Sequence, residues 1–399
     1  MLLTGELLSG FGTSLTSIAY PLLVLALTHS PAKAGAVAFV RLLPYAAFGV
    51  LAGVAADRWN RKWLMIGADA VRAVAVAGLG AAILLDRVRF WQVLLVAFVA
   101  GACGTLFLSA QPGALRAVVS RSELPAAVAA GRARMSAVGI VGPPVGGALF
   151  QLGRALPFFA DAASYAFSIV SMLMVRTPFQ EQRERDPARI RAQLAEGFRF
   201  LWSQPFLRTT AFLYGIGNLT IPAFLFVIIV VGRRQGLSGG EIGALLAAFS
   251  VCTLLGSLVS PFFRRALSVR SILLLEFWTG LGAALFLVWP NVYVLTAAVL
   301  PQAISLPITD SVVDGLRIAI TPDRLLGRVE SVRANIALLI APLGPLVAGL
   351  LLDSVSARAT VACFLVLTLT LALWGTFSPV LRNAPRLDEL DSGFAGAKP

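Results

Sequence analysis

Two aspartates stand four residues apart in an apolar stretch in the last third of the chain. Asp310 and Asp314 fall on one face of a helix at this spacing. Like charges that close repel each other, so one of the two carboxyl groups is expected to hold a proton more readily than an ordinary aspartate. This chemistry suits reversible proton binding. Asp314 could instead pair with Arg317, three residues further on, and Glu6 in the first apolar stretch is a further candidate for proton binding.

A second group of side chains could contact an organic molecule. They are aromatic or carry an uncharged polar group, and they occur inside otherwise apolar stretches. The members are Phe107, Gln111, Tyr214, Asn218 and Phe224. A mostly apolar wall with a few polar groups suits a small amphipathic ligand, although each of these residues alone could equally serve helix packing.

The elements that carry these residues are predicted to be membrane-spanning helices. Of the 399 residues, 58% are hydrophobic and only 13% are charged, and the mean hydropathy is +0.83. Apolar stretches of about twenty residues cross a bilayer as helices, and their lack of strict alternation excludes a β-barrel. We predict twelve spans, at about 2–27, 34–56, 63–85, 90–111, 124–151, 155–175, 206–232, 241–263, 270–289, 292–318, 327–352 and 359–381.

A long polar segment between spans six and seven divides the chain into halves. We therefore predict a six-helix bundle at 1–178, a cytoplasmic loop at 179–205, a second six-helix bundle at 206–382 and a flexible cytoplasmic tail at 383–399. The loop should contain an amphipathic helix on the membrane surface. Its apolar face would hold Ile190, Leu194, Phe198 and Leu201.

The distribution of positive charge predicts the orientation. With both termini in the cytoplasm, 24 of the 33 basic residues lie on the cytoplasmic side and 7 on the other, which follows the positive-inside rule. The formal net charge of +13 is scattered through short loops. This scatter argues against a nucleic-acid partner, which would need one basic face.

A short basic turn between two apolar stretches occurs twice. The segment at 49–62, GVLAGVAADRWNRK, aligns with the segment at 256–269, GSLVSPFFRRALSV, at a constant offset of 207 residues. The offset matches Asp57 with Arg264 and Asp69 with Glu276. Asp69 and Arg72 stand one helical turn apart and could neutralise each other. Such a duplication is typical of transporters built from repeated helix bundles.

The motif GVAADRWNRK resembles the loop motif of the major facilitator superfamily, and the wider sequence resembles its bacterial branch of drug and siderophore exporters, such as macrolide and enterobactin exporters. The resemblance implies an all-α fold of two pseudo-symmetric six-helix bundles. It implies that the motif residues close the cytoplasmic side against the start of span eleven. The residues in these roles are Gly53, Asp57, Arg58, Arg61 and Lys62 in the motif, and Gly327 and Arg328 in span eleven.

The fifth span contains GPPVGGALF, which resembles the Gly-Pro-rich antiporter motif of the same superfamily. Small residues at this density allow helices to approach closely. The candidate packing positions are Gly142, Pro143, Gly146 and Gly147.

The sequence therefore predicts a secondary transporter that exports small amphipathic drugs, antibiotics or siderophores, with protons as the coupling ion. We expect a monomer in the bacterial cytoplasmic membrane, with the lipid bilayer and a small-molecule substrate as partners, and no cofactor or metal. No phosphate-binding loop of the Gly-x-x-x-x-Gly-Lys-Ser/Thr type occurs. The alternatives are an importer on the same fold and a lipid-modifying membrane enzyme, which would need a richer polar cluster than Asp310 and Asp314 provide.

Overall fold

The computed structural model describes residues 2–120, 122–175, 179 and 187–383. Within these ranges the regular structure is helical and contains no strand. The first half holds helices α1 (Leu2–Thr28), α2 (Pro31–Arg58), α3 (Arg61–Leu84), α4 (Phe90–Val118), α5 (Leu124–Leu152) and α6 (Leu156–Met174). The all-helical fold predicted from the sequence is confirmed.

The second half begins with a helix in the central loop and continues with shorter pieces. It holds α7 (Pro187–Ser203), α8 (Pro205–Gly217), α9 (Thr220–Arg234), α10 (Gly239–Ala266), α11 (Val269–Gly280), a 3₁₀ turn (Leu281–Ala284), α12 (Leu285–Val288), α13 (Val292–Ile320), α14 (Asp323–Ile340), α15 (Leu343–Ser354), α16 (Ala357–Phe377) and α17 (Pro379–Arg382). The pair α8 and α9 makes one long apolar span, and so does the run from α11 to α12.

Ten helices of the described residues are long and apolar enough to cross a membrane. An eleventh span comes from α2, which is bent by 61° between Gly49 and Leu51, where a glycine weakens the helix. The predicted span at 327–352 is divided between α14 and the short apolar helix α15. Twelve spans are consistent with this arrangement.

The described helices form two compact units. The first consists of Met1–Arg185, Leu225–Ala247 and Pro345–Ser354, and the second of Asp186–Phe224, Ala248–Gly344 and Val355–Pro399. Short pieces of the later spans therefore pack with the first six helices. The division into bundles at 1–178 and 206–382 stays a prediction.

The central loop contains the helix predicted for it, α7. The side chains of Ile190 and Leu194, and residues 180–186, lie outside the described residues. Leu201 is buried in the apolar core of the second unit, whereas Phe198 is exposed and stacks on Trp202 with ring centres 5.3 Å apart. The two described members of the predicted apolar face therefore have different surroundings.

Candidate functional site

A cavity of about 390 Å³ opens within the first unit. Its wall is mainly apolar and comes from α1, α4 and α5, with Leu7, Phe107 and Met135 among its members. Two of the residues predicted to contact substrate, Phe107 and Gln111, line this cavity. An apolar wall of this size with a few convergent polar groups can bind a small organic molecule.

The charged groups of this cavity are Glu6, Arg72 and Arg134. The Oε1 atom of Glu6 is buried and has no hydrogen-bond partner among the described residues. Arg134 donates a hydrogen bond of 2.7 Å from Nη1 to the carbonyl oxygen of Leu3. Glu6 therefore presents a carboxyl oxygen with unused hydrogen-bonding capacity inside a cavity that can hold a ligand.

Arg72 holds together a buried polar group that we call the Arg72 cluster, made of Thr13, Asp69, Arg72 and Tyr165. Its Nη1 lies 3.1 Å from Asp69 Oδ1, and its Nη2 donates to the Tyr165 hydroxyl at 2.7 Å and to Thr13 Oγ1 at 3.0 Å. The guanidinium also stacks 4.1 Å from the centre of the Tyr165 ring. The ion pair expected between Asp69 and Arg72 is thus present.

A second carboxylate lies next to this cluster. Asp161 is buried, and its Oδ2 accepts a hydrogen bond of 2.8 Å from Thr16. Arg41 donates to the carbonyl oxygen of Thr13 at 3.0 Å and lies over the ring of Tyr20. Two arginines and two carboxylates therefore occupy this region, and their charges balance.

A smaller cavity, of about 130 Å³, lies within the second unit. We call it the Glu276 cavity, because Glu276 lines it together with Asp310 and Asp314. Tyr214 and Asn218, predicted as substrate contacts, also line it. The structure therefore brings both aspartates of the predicted pair to one cavity and adds a third carboxyl group from α11.

The arginines that line the Glu276 cavity form ion pairs with Asp314 and Glu330. Arg317 lies 3.0 Å from Asp314 Oδ1 and 2.7 Å from Glu330 Oε2. Arg333 lies 2.7 Å from Glu330 Oε1. Asp314 therefore has the ion pair that the sequence offered as an alternative to proton binding.

One predicted contact residue, Phe224, lines neither of these two cavities. It is 1% exposed, and its ring packs edge-on against Phe364 with centres 6.0 Å apart. Its place is in the apolar interior of the second unit. A substrate contact at Phe224 stays a prediction, because an aromatic residue in an apolar span has the same sequence pattern in a core as in a cavity.

The basic turn between α2 and α3 is held by hydrogen bonds within the first unit. Arg61 Nη2 lies 3.2 Å from Asp57 Oδ1, and Arg61 Nε donates to the carbonyl oxygen of Ala56. Lys62 Nζ donates to the carbonyl oxygen of Val175 at 2.7 Å, beyond the end of α6. Arg58 is exposed. The turn thus joins the ends of three helices.

The remaining motif positions are two glycines and one arginine. A Cβ added at Gly53 or at Gly327 would meet no described atom within 4 Å. Arg328 pairs with Glu196 of α7 inside the second unit. The docking of Asp57 against the start of span eleven stays a prediction.

The small residues of α5 lie in close helix contacts of the first unit. A Cβ at Gly142 would overlap the side chain of Ser14, and one at Gly146 would overlap the backbone of Leu15. Gly147 meets the backbone of Gly239, and the carbonyl oxygen of Pro143 lies where a Cβ of Gly243 would stand. Any larger side chain at these positions would push the helices apart.

Tyr165 and Glu330 were missed by the sequence analysis. Tyr165 stands four residues after Asp161 in an apolar span, and this spacing puts both on one helix face. Glu330 stands three residues before Arg333, a spacing typical of helix ion pairs. Both signals were available, but neither indicates which distant residue the side chain contacts.

Comparison with known proteins identifies the family. The Major Facilitator Superfamily model matches residues 2–268. The multidrug efflux pump Tap of Mycolicibacterium fortuitum is 29% identical over 98% of this chain and 96% of its own. Macrolide efflux protein A of Enterococcus faecalis is 27% identical over 76% of this chain and 95% of its own.

A solved structure supports the same fold. A bacterial homologue of the iron transporter ferroportin, in an inward-facing state, superimposes with a TM-score of 0.72 at 15% identity, covering 94% of this chain and 98% of that one. At this level of identity the likeness concerns the fold alone.

Proposed function

Because the chain belongs to the Major Facilitator Superfamily, we propose that it exports small amphipathic organic molecules across the bacterial cytoplasmic membrane in exchange for protons. The family and the fold make it a multi-pass membrane transporter rather than an enzyme. Export as the direction is supported by the relatives named multidrug and macrolide efflux proteins. We propose a monomer with both termini in the cytoplasm, the orientation that the positive charges favour.

The observation that carries this proposal is the cavity of the first unit. Leu7, Phe107 and Met135 offer an apolar surface, and Gln111 and Glu6 offer polar groups in the same lining. A buried carboxyl oxygen without a partner favours a ligand that brings a hydrogen-bond donor or a positive charge. An amphipathic organic cation meets both requirements.

Alternating access requires contacts that form in one state and break in the other. Contacts join the end of α15 to the start of α2, the end of α2 far from the basic turn. Asp353 Oδ2 accepts hydrogen bonds from Ser30 Oγ at 2.5 Å and from the backbone nitrogen of Ala32 at 3.2 Å. A Cβ at Gly349 would overlap the backbone of Pro31. We propose that these contacts seal the external side in the state described.

The basic turn would act at the opposite, cytoplasmic side. We propose that Asp57, held by Arg61, closes that side against Gly327 and Arg328 in the alternate state. A carboxylate at a helix N-terminus is favoured by roughly 0.3–1 kcal/mol when exposed, and more when partly buried. For proton coupling, the acids of the two cavities are the candidates: Asp310, Asp314 and Glu276 in the second unit and Glu6 in the first.

The test is transport in inside-out membrane vesicles with a panel of dyes and antibiotics. On energisation, we expect vesicles that contain the protein to accumulate at least one amphipathic cation, and a protonophore to abolish the accumulation. Glu6→Gln should weaken accumulation of cations more than that of neutral compounds. Accumulation that survives the protonophore would contradict proton coupling, and energised loss of compound from the vesicles would indicate an importer.

A further inference from the structure

The two halves of the repeat both contain a buried acid, but they differ in the residue three positions after it. At the offset of 207 residues, Asp69 corresponds to Glu276, and Arg72 corresponds to Thr279. Both acids are buried, Asp69 at 0% and Glu276 at 4% exposure. The second half has therefore kept the buried acid but has a hydroxyl where the first half has a guanidinium.

Thr279 does not replace the missing cation. Its hydroxyl donates to the carbonyl oxygen of Leu275 at 2.7 Å and lies 2.9 Å from Ser305 Oγ. Arg270, the basic residue of α11, donates instead to the carbonyl oxygen of Thr376 at 2.9 Å. Among the described residues, no ion pair joins Glu276 to a basic side chain.

Among the described residues, the arginines of the helices packed around α11 form their ion pairs with acids other than Glu276. In α13 and α14, Arg317 pairs with Asp314 and Glu330, and Arg333 pairs with Glu330. The Tyr214 hydroxyl, on α8, donates to the carbonyl oxygen of Leu273 at 2.7 Å. The other titratable groups of α8, α16 and α17 bond elsewhere or are exposed: Arg208, Arg358, Cys363 and Arg382.

Asp310 lines the same cavity as Glu276. Among the described residues neither of these two acids forms an ion pair, whereas the third acid of the cavity, Asp314, pairs with Arg317. An ionised carboxyl group in such surroundings is costly unless a cation or water compensates it. A proton removes that cost, and so does the entry of water when the cavity opens.

We propose that Glu276 is the carboxyl group that takes up and releases the coupled proton, with Asp310 as the acid through which it exchanges protons with water. The proposal rests on the proton-coupled export proposed above and names the group that performs the coupling. The proposal also explains why position 279 holds a threonine and not a basic residue. A basic residue there would hold Glu276 in its charged form, as Arg72 holds Asp69, and would abolish the exchange.

The experiment uses purified protein in proteoliposomes with ethidium as the probe. Two quantities are compared, efflux driven by a pH gradient and exchange of ethidium without a gradient. Coupling between linked sites is typically worth about 5–150-fold, so Glu276→Gln should lower gradient-driven efflux by about tenfold or more while exchange continues. Glu276→Asp should retain driven efflux, and Thr279→Arg should lose it.

The matched control is Glu241→Gln, which removes an exposed acid at the start of α10 and should leave both quantities unchanged. Full gradient-driven efflux in Glu276→Gln would overturn the proposal. If that variant loses exchange as well, Glu276→Asp decides, because failure of the restored carboxyl group to support driven efflux also overturns it. Absence of gradient-driven efflux in the wild-type protein would instead contradict the proposed export function.

Discussion

The Arg72 cluster of the first unit and the Glu276 cavity of the second occupy matching places in the repeat, yet they differ in charge balance. In the first, Asp69 has a guanidinium at 3.1 Å, and that guanidinium also binds Tyr165 and Thr13. In the second, Glu276 and Asp310 share a cavity while the nearby arginines pair with other acids. The duplicated acid thus has an ion pair in the first half and none among the described residues of the second, which is the difference that the proposed proton exchange at Glu276 depends on.

The first prediction concerns the guanidinium on which the first cluster depends. Arg72→Met would leave Asp69 buried without a cation, and loss of one partner of a buried ion pair costs about 3–5 kcal/mol. We expect a strongly lowered thermal unfolding temperature in detergent. Arg87→Met, at an exposed arginine of the α3–α4 loop, is the control and should unfold like the wild-type protein. Equal stability of the two variants would mean that the cluster is not structural.

The second prediction compares the two acids of the repeat directly. Asp69→Asn leaves Arg72 buried without its carboxylate, so we expect a loss of about 3 kcal/mol in the free energy of unfolding. Glu276→Gln leaves no cation unpaired, and its effect should stay within about 1 kcal/mol. Unfolding of both variants under identical detergent conditions gives the difference. Equal losses would contradict the distinction drawn between the two acids.

The sequence predicted the helices and the acids better than it predicted their partners. The apolar stretches indicate the spans, and the spacing of Asp69 and Arg72 indicates an ion pair, because both signals are local. The contact of Arg72 with Tyr165 joins residues 93 positions apart, and no local pattern contains it. The same limit applies to Phe224, because an apolar span has the same sequence pattern whether its residues face a core or a cavity.

The third prediction concerns the basic turn, where the alignment of the two repeats matches Asp57 with Arg264. We expect Asp57→Asn to remain inserted and stable, because a partly exposed ion pair such as that with Arg61 contributes at most about 1 kcal/mol. Its export rate should nevertheless fall several-fold, since the carboxylate acts in one conformational state only. Arg264→Gln, at an exposed position, should have a smaller effect. Wild-type export by a well-expressed Asp57→Asn protein would refute the gating role.

The smallest effect is expected at Asp314. This side chain is 49% exposed, and its partner Arg317 keeps a second carboxylate, Glu330, at 2.7 Å. Asp314→Asn should therefore cost less than about 1 kcal/mol and should retain gradient-driven efflux, whereas Asp310→Asn should weaken it. The paired assay in proteoliposomes separates the two aspartates. A larger loss of driven efflux at Asp314 than at Asp310 would reverse the roles assigned to them.

We expect the buried acid of the second half, Glu276, to change its protonation during transport while that of the first half, Asp69, does not. Infrared difference spectroscopy of the purified protein measures this directly, as a carboxyl band that changes when the pH is stepped through the range in which the protein transports. We expect Glu276→Gln to abolish the main part of this band and the control Glu241→Gln to leave it intact. A band unchanged in Glu276→Gln would contradict a proton-coupling role for Glu276.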